Sequence, residues 1–247
     1  VIVEDTTERQ RLESVRRDFV ANISHELKTP VGAISLLAET LATEEDLAVA
    51  QRLAERILDE AFRVGRTIDD LLELSRIEAD EPERREDLRV LDVVREAADR
   101  VRGAADQRGI GLDLGEVDER IRVVGDRRQL VSAAYNLLEN AVKYSDDGSA
   151  VRVRTRTDGR MVDISVIDRG VGIPARDLER VFERFYRVDR ARSRDTGGTG
   201  LGLAIVRHVA NNHAGEVRVQ SQEGRGSTFT LRLPLGAGPA AVSEQAG

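Results

Sequence analysis

The chain has 247 residues, 38 of them basic and 45 acidic, for a net charge of −7, and 34% are charged. That length holds one large domain or two small ones with a real core, and the acidic balance argues against a general nucleic-acid binder, which would be basic. The absence of cysteine excludes a disulfide framework and thiol chemistry, and no apolar run approaches the roughly 20 residues of a membrane-spanning helix.

The charged start VIVEDTTERQRLE carries no signal-peptide pattern. Beginning at Val, it reads as the start of a fragment whose upstream part is missing. Leu12, Val15, Phe19, Ile23, Leu27, Val31, Ile34, Ala38 and Leu41 then recur at spacings of three and four, the stripe of an amphipathic helix. The stretch FVANISHELKTPVGAI lies within it. At about 100° per residue, His25 falls roughly 200° round the helix from Ile23, on the solvent side. Thr29 shares that face one turn on. Pro30 removes a backbone donor and weakens the helix beside the His25–Glu26 pair. HELKT begins like the zinc motif H-E-x-x-H, but position 29 is Thr, so the second imidazole that a metal needs is absent.

Residues 8–42 and 48–79 read as two long helices joined by the short acidic link ATEEDLA, which suits an antiparallel hairpin. In the second, Leu53, Ile57, Ala61, Val64, Ile68, Leu71 and Ser75 step close to a heptad seam. Two such helices cannot enclose a core alone, so a homodimer forming a four-helix bundle is expected. Polar, unpatterned ADEPERREDL marks a linker. Beyond it LDVVREAADRVRGAADQRG and RQLVSAAYNLLENAVKY read as helices, and VRVRTRT, MVDISVID and STFTLRLP alternate as half-buried strands. Residues 85–235 are therefore expected to form an α/β domain with helices on one face of a mixed sheet. The Gly/Ala/Pro-rich GAGPAAVSEQAG reads as a disordered tail.

Four segments of this domain carry candidate chemistry. NLLENAVKYS puts Asn136 and Asn140 on one helix face beside Glu139 and Lys143. Two amide oxygens suit a hard cation such as Mg²⁺ and Lys143 suits a phosphate, although an ordinary polar helix surface has the same pattern. In DRGVGIP, Asp168 at a strand end can accept from an exocyclic amine such as adenine's, while Gly170 and Gly172 admit close backbone approach; a glycine turn with an Asx cap reads equally well. GGTGLGLAIVRHVA sets Gly197, Gly198, Gly200 and Gly202 at a helix start, where backbone amides favour phosphate oxygens. It lacks the G-K-[ST] of a Walker loop, and the polar RVDRARSRDT before it reads as a lid rather than a dinucleotide-binding strand. In GRGSTFTLRLP a turn at Gly224 and Gly226 would set Thr228 near a pocket, or form a plain hairpin.

In this order the segments resemble the sensor histidine kinases of bacterial two-component systems. SHELKTP is similar to their H box, NLLENAVKYS to the N box, DRGVGIP to the G1 box, FERFYRVD to the F box, GGTGLGLAIV to the G2 box and GRGSTFTLRLP to the G3 box. FYRVDRARSR followed by GGTGLGLAIV suggests the subgroup related to phosphate-regulon sensors. The resemblance implies a dimeric helical hairpin followed by a Bergerat (GHKL) α/β sandwich that binds ATP. It divides the chain into the end of a PAS-like sensor and signalling helix (1–15), a dimerisation and phosphotransfer domain (16–80), a linker (81–86), a catalytic ATP-binding domain (87–235) and a tail (236–247).

It further implies that His25 is the phosphoacceptor and that Glu26 orients it or takes its proton. An ordinary imidazole is mostly neutral at pH 7 and offers a ring nitrogen as nucleophile. Thr29 matches the position that helps dephosphorylate the partner regulator. ATP would lie against Asn136 and Asn140 through Mg²⁺, Lys143 and Arg187 at the phosphates, Tyr144 beside adenine, and Asp168 at the adenine amine. Gly170, Gly172 and Ile173 of the G1 turn and Thr228 would border it. Gly198, Thr199, Gly200, Leu201, Gly202 and Leu203 would form the lid base. Pro30 would let the helix bend so that His25 meets the γ-phosphate. Expected partners are a second copy and a response-regulator receiver domain, with neither nucleic acid nor direct membrane contact. The portion would be cytoplasmic, in a parent anchored in the bacterial membrane. Two rivals remain: an ATPase switch of the gyrase, MutL or Hsp90 kind, and a non-catalytic dimeric signalling module.

Overall fold

The computed structural model describes residues 6–78, 85–188 and 198–236, the side chains of 6–20 and of Glu78 excepted. The first five residues, residues 79–84 of the expected linker region, residues 189–196 of the expected lid together with Gly197, and residues 237–247 of the expected tail lie outside the described residues, as do the side chains of Leu12, Val15 and Phe19. Two compact units divide the chain between Leu72 and Glu73, with Gly198 and Thr199 grouped with the first.

The first unit is built from α1 (Thr6–Ala42) and the part of α2 (Leu47–Glu78) up to Leu72. Asp46 begins the second by accepting the amides of Ala48 (2.8 Å) and Val49 (3.1 Å) on Oδ1, the usual arrangement of an N-cap. Helix α1 continues through Pro30, which is buried, although proline leaves the carbonyl four residues back without its helical donor. The stripe differs in detail from the sequence expectation. Ile23, Leu27, Ile34 and Leu41 are half-buried together with Ala33 and Leu37, while Val31 and Ala38 are exposed. On α2, Leu53, Ile57, Val64 and Leu71 are half-buried, but Ala61, Ile68 and Ser75 are exposed. An α-helix drifts about 20° per heptad relative to a 3.5-residue repeat, so one straight face cannot hold every member of a long seam.

The second unit opens with β1 (Glu86–Arg89), α3 (Val90–Gln107), β2 (Gly111–Glu116), β3 (Arg122–Gly125) and α4 (Arg127–Tyr144). It continues with β4 (Ala150–Thr157), β5 (Met161–Ile167), two 3₁₀ turns at Ala175–Asp177 and Arg180–Phe182, α5 (Gly202–Asn212), β6 (Glu216–Gln222) and β7 (Gly226–Pro234). β1 and β3 form an antiparallel ribbon; the main sheet has the order β2-β4-β5-β7-β6, with β2 and β4 parallel and the remaining pairs antiparallel. Period-2 alternation decides its faces. Val151, Val153, Val162, Ile164, Val166, Phe229, Leu231 and Leu233 are buried, and Val153, Ile164, Val166, Leu231 and Leu233 meet Val94 of α3 and Leu130, Leu137 and Leu138 of α4 in one core. On the other face Arg154, Ser165, Thr230 and Arg218 lie in one cross-strand row, and the Ser165 and Thr230 hydroxyls are 3.0 Å apart. β1, β2, β3 and β6 were not legible as strands. Three are only four to six residues long, and β6, at the sheet edge, has just Val217 and Val219 as apolar residues among polar ones.

Helix α4 begins at Asp126, whose Oδ1 accepts the amides of Arg128 and Gln129 at 2.8 and 3.1 Å. His213, buried at the end of α5, reaches the same turn. Its Nε2 accepts the Asp126 amide at 3.0 Å and its Nδ1 lies 2.8 Å from the Val209 carbonyl, so the ring is neutral with its proton on Nδ1. Burial holds its pKa below the ordinary imidazole value and Arg85 acts in the same direction, opposed by the Val209 carbonyl and Asp126. A histidine depressed in the fold contributes stability that is complete above its unfolded pKa, about 6.5, and is lost as pH falls through the folded value. Urea unfolding from pH 7.5 to 5.5 is therefore expected to show declining stability. His213→Leu should start about 1–3 kcal/mol less stable, its Asp126 amide left without an acceptor, and follow a flatter profile. Parallel profiles would show that His213 does not titrate with folding.

Candidate functional site

The candidate site is built around the C-terminal half of α4. Asn136 is 5% exposed, and its amide nitrogen donates to the Ser132 carbonyl at 3.0 Å. Its oxygen abuts the first residue of α5: a Cβ on Gly202 would lie 2.4 Å from Asn136 Oδ1. One turn on, Asn140 is half-buried and makes no side-chain hydrogen bond to a described residue. The two asparagines thus share a helix face, Asn136 buried against the start of α5 and Asn140 half-buried. Lys143 follows, half-buried, with Nζ 5.3 Å from the ring centre of Tyr144, which is exposed.

Against this helix end lies the turn after β5. Asp168 is buried, and its Oδ1 accepts the Gly170 amide at 3.0 Å and the Ser227 amide at 3.1 Å. The Asp168 amide donates to the Ser227 carbonyl at 2.9 Å, so the turn is fastened to β7 through both backbone and side chain. Burial raises the Asp168 carboxyl pKa above its ordinary value, and the Gly170 and Ser227 bonds oppose the rise. Two glycines permit the approach: a Cβ on Gly226 would lie 2.2 Å from the Asp168 carbonyl oxygen and one on Gly170 would lie 2.0 Å from that of Tyr144. No side chain fits at either distance. Gly172 lies beside the Gln222 carbonyl. The half-buried Ile173 donates its amide to Ser221 Oγ at 2.8 Å. Thr228, half-buried, pairs with Ile167 and Gln220 in the sheet.

The glycine-rich segment enters α5 with Gly198, Thr199 and Gly200 half-buried and Leu201 fully buried. Gly202 and Leu203 form the first turn of the helix, and both are half-buried. Thr199 donates its hydroxyl to Asp70 at 2.6 Å, within the unit that holds the hairpin. Phe185 donates its amide to the Gly200 carbonyl at 2.9 Å, from a backbone at φ 61° that non-glycine residues rarely adopt. Arg187, two residues on, is half-buried.

In the first unit, His25 and Thr29 are exposed and Glu26 is half-buried. The Thr29 hydroxyl donates to the His25 carbonyl at 3.1 Å, which holds it on the turn that carries the imidazole. Of the expected N-box and G1 positions in the second unit, Tyr144 meets Gly170 directly, while Gly172 and Ile173 lie against Gln222 and Ser221. Two supporting residues were not picked out in advance. Ser227 supplies an amide to Asp168, and Ser221 holds the Ile173 backbone; only the neighbouring glycines of GRGST hinted at the first, and nothing local to β6 marked the second.

A family model described as the histidine kinase-, DNA gyrase B- and HSP90-like ATPase matches residues 125–237, and one described as the His Kinase A (phospho-acceptor) domain matches residues 15–80. The chain is 49% identical over 249 residues to the sensor-like histidine kinase SenX3 of Mycolicibacterium smegmatis, covering 99% of this chain and 64% of that protein. It is 39% identical over 250 residues to the phosphate regulon sensor protein PhoR of Pseudomonas aeruginosa, covering 99% of this chain and 55% of that one. The chain therefore spans between about half and two thirds of these curated relatives. A solved structure of the mycobacterial sensor histidine kinase MprB superposes with a TM-score of 0.54 at 31% identity, over 62% of this chain and 98% of that one. An exposed histidine in a helical hairpin, a mixed-sheet domain whose N-box helix meets the G1 and G2 glycines, and these likenesses agree: the chain belongs to the sensor histidine kinases of two-component systems.

Proposed function

We propose that the chain is the ATP-dependent kinase portion of its parent, phosphorylating His25 and passing the phosphoryl group to an aspartate of a response-regulator receiver domain. The observation that carries this reading is the meeting of α4, which carries Asn140 and Lys143, with the G1 turn through Tyr144 against Gly170 and Val171 and with the start of α5 through Asn136 against Gly202, in a chain that also exposes His25 beside Glu26.

Each residue then has a role that its surroundings support. Asp168 has one oxygen engaged by two amides, and the other suits the exocyclic amine of adenine, which Tyr144 would flank. Lys143, Arg187 and the α5 N-terminus suit the phosphates. Asn140 offers a half-open amide oxygen of the hard type that Mg²⁺ prefers; Asn136, its oxygen against Gly202, holds α5 beside it. When bound, Mg²⁺ would offset phosphate charge during transfer. A ring nitrogen of His25 attacks the γ-phosphorus, an N–P bond forms as the bond to the ADP oxygen breaks, and the proton displaced from the ring passes to Glu26 or water. Thr29 keeps oxygen lone pairs free while donating to His25; we assign it the positioning of water when the regulator is dephosphorylated. No helix among the described residues is long and apolar enough to cross a membrane; membrane anchoring and a cytoplasmic location for this portion rest on the family reading.

Homodimerisation through the hairpin is part of the proposal. Leu58, Phe62, Ile68 and Leu72 of α2 are 57, 68, 42 and 52% exposed and Val31 of α1 is 50% exposed, a row of apolar side chains that a second hairpin would cover. Light scattering at micromolar concentration should give twice the mass of the chain, and Leu58→Glu with Phe62→Glu should give a monomer. A wild-type monomer would end the dimer reading.

His25→Gln should abolish phosphorylation by radiolabelled ATP while nucleotide affinity stays within about twofold, because glutamine has no ring nucleophile and His25 is not among the residues assigned to hold the nucleotide. Label retained on the variant would exclude His25 as the acceptor.

Asp168→Asn separates binding from folding. A carboxyl raised in the fold contributes stability that is complete below its unfolded pKa and is lost as pH rises through the folded value, so the charged form opposes folding. Asparagine keeps an acceptor for Gly170 and Ser227 without the charge, and the melting temperature should rise or hold. ATP affinity should fall at least about tenfold, ~1.4 kcal/mol, since the amide would turn a donor toward the adenine amine. Unchanged affinity would remove Asp168 from the nucleotide site.

A further inference from the structure

The last turn of α4 poses a hydrogen-bond problem of its own. It carries Lys143 and Tyr144, and a helix end leaves its final carbonyls without helical donors. Ala141 is satisfied by the amide and hydroxyl of Ser145, at 3.1 and 2.6 Å. Tyr144 receives the Val171 amide of the G1 turn at 3.3 Å. The rest depends on one side chain from another helix: Arg108 donates Nη1 to the carbonyls of Val142 (2.5 Å) and Lys143 (2.9 Å) and Nη2 to that of Ser145 (2.8 Å). Its Nε donates to Asp147 Oδ1 at 2.8 Å, and its own carbonyl accepts the Gly148 amide at 3.0 Å. Five bonds thus link one residue to the segment 142–148.

Arg108 is itself held firmly. It stands at the end of α3, where the Gly109 amide donates to Asp106 and the Ile110 amide to Ala105, at 3.1 and 2.9 Å, with Gly109 at φ 64° and Ile110 buried. This is a Schellman closure, and it sets the position from which the guanidinium reaches across. A planar fork with five donors can serve three carbonyls and a carboxylate at once; a lysine ammonium cannot match that geometry.

We propose that Arg108 is a positioning residue for nucleotide binding: by completing the end of α4 it fixes Lys143 and Tyr144 against the G1 turn, and without it the nucleotide is held more weakly although every contacting residue is present. The inference rests on the nucleotide-site reading given above. Arg108 contacts no reacting atom in this reading, so its removal should act on affinity rather than on transfer.

The test uses the whole chain with trinitrophenyl-ATP as the binding probe, alongside amide hydrogen exchange and thermal unfolding. Arg108→Met should weaken binding about tenfold and raise the KM for ATP similarly, while the rate of His25 phosphorylation at saturating ATP stays within about twofold. Exchange should quicken at residues 141–146 and at Val171. Arg108→Lys should recover only part of the affinity, and serves as the test if the methionine variant does not fold. Val94→Ala, a core change in α3 away from this end, should lower the melting temperature with affinity within about twofold. If Arg108→Met weakens binding no more than Val94→Ala does, or weakens it without faster exchange at 141–146, the proposal is wrong. Asn140→Ala run in parallel separates the two levels. If it too leaves affinity unchanged, the nucleotide-site reading fails, whereas a loss there with none at Arg108 overturns only the positioning role.

Discussion

The second unit depends on a constraint of backbone against backbone at Asp168. Its side chain gathers the amides of Gly170 and Ser227, its own amide reaches the Ser227 carbonyl, and Gly226 lies where any side chain would strike the Asp168 carbonyl. The turn after β5 is thereby fixed to the start of β7. The same turn meets the end of α4 through Gly170 and Val171. A buried carboxyl whose hydrogen bonds only partly offset its desolvation is costly to keep in a core, and such groups are often found where a ligand completes the environment.

Helix α4 is the beam on which the site is mounted, and its two ends are secured by different chemistry. At the N-terminus Asp126 caps the first amides and receives its own support from His213 of α5. At the C-terminus Ser145, Val171 and Arg108 complete the carbonyls. Between them the buried face packs into the sheet through Leu130, Leu137 and Leu138. The opposite edge presents Asn140 and Lys143, half-buried. A rigid helix with both ends tied holds side chains in place better than a loop can, and small displacements of binding side chains carry large penalties.

The first unit follows a simpler logic. Its helices are amphipathic, capped by Asp46 at the link, and leave a second apolar row on α2 exposed. Pro30 lies inside a continuous helix with its ring buried, one turn beyond Glu26. The residue that removes a backbone hydrogen bond therefore also contributes to the apolar side, and His25 and Thr29 stay on the wet one.

The sequence by itself determined the helix and strand types of the long elements, the amphipathic hairpin with His25 on its polar side, and the glycine clusters that flank the turn after β5 and the start of α5. These are local properties: periodicity, glycine clusters and residue chemistry need no partner to be legible. Only the tertiary structure decided that Asn136 is the more buried asparagine of the pair, because its Oδ1 meets Gly202, 66 residues away in the chain. It likewise decided that Ile68 and Val31 face outward rather than complete a single seam, and that the edge strand β6 joins β7. Arg108 is the clearest case. In sequence it is one more arginine before a helix-ending glycine, and its role exists only because the Schellman turn of α3 brings its guanidinium to carbonyls 34 to 37 residues further along. Hydrogen bonds of that separation are set by packing of the core, and no local pattern encodes them.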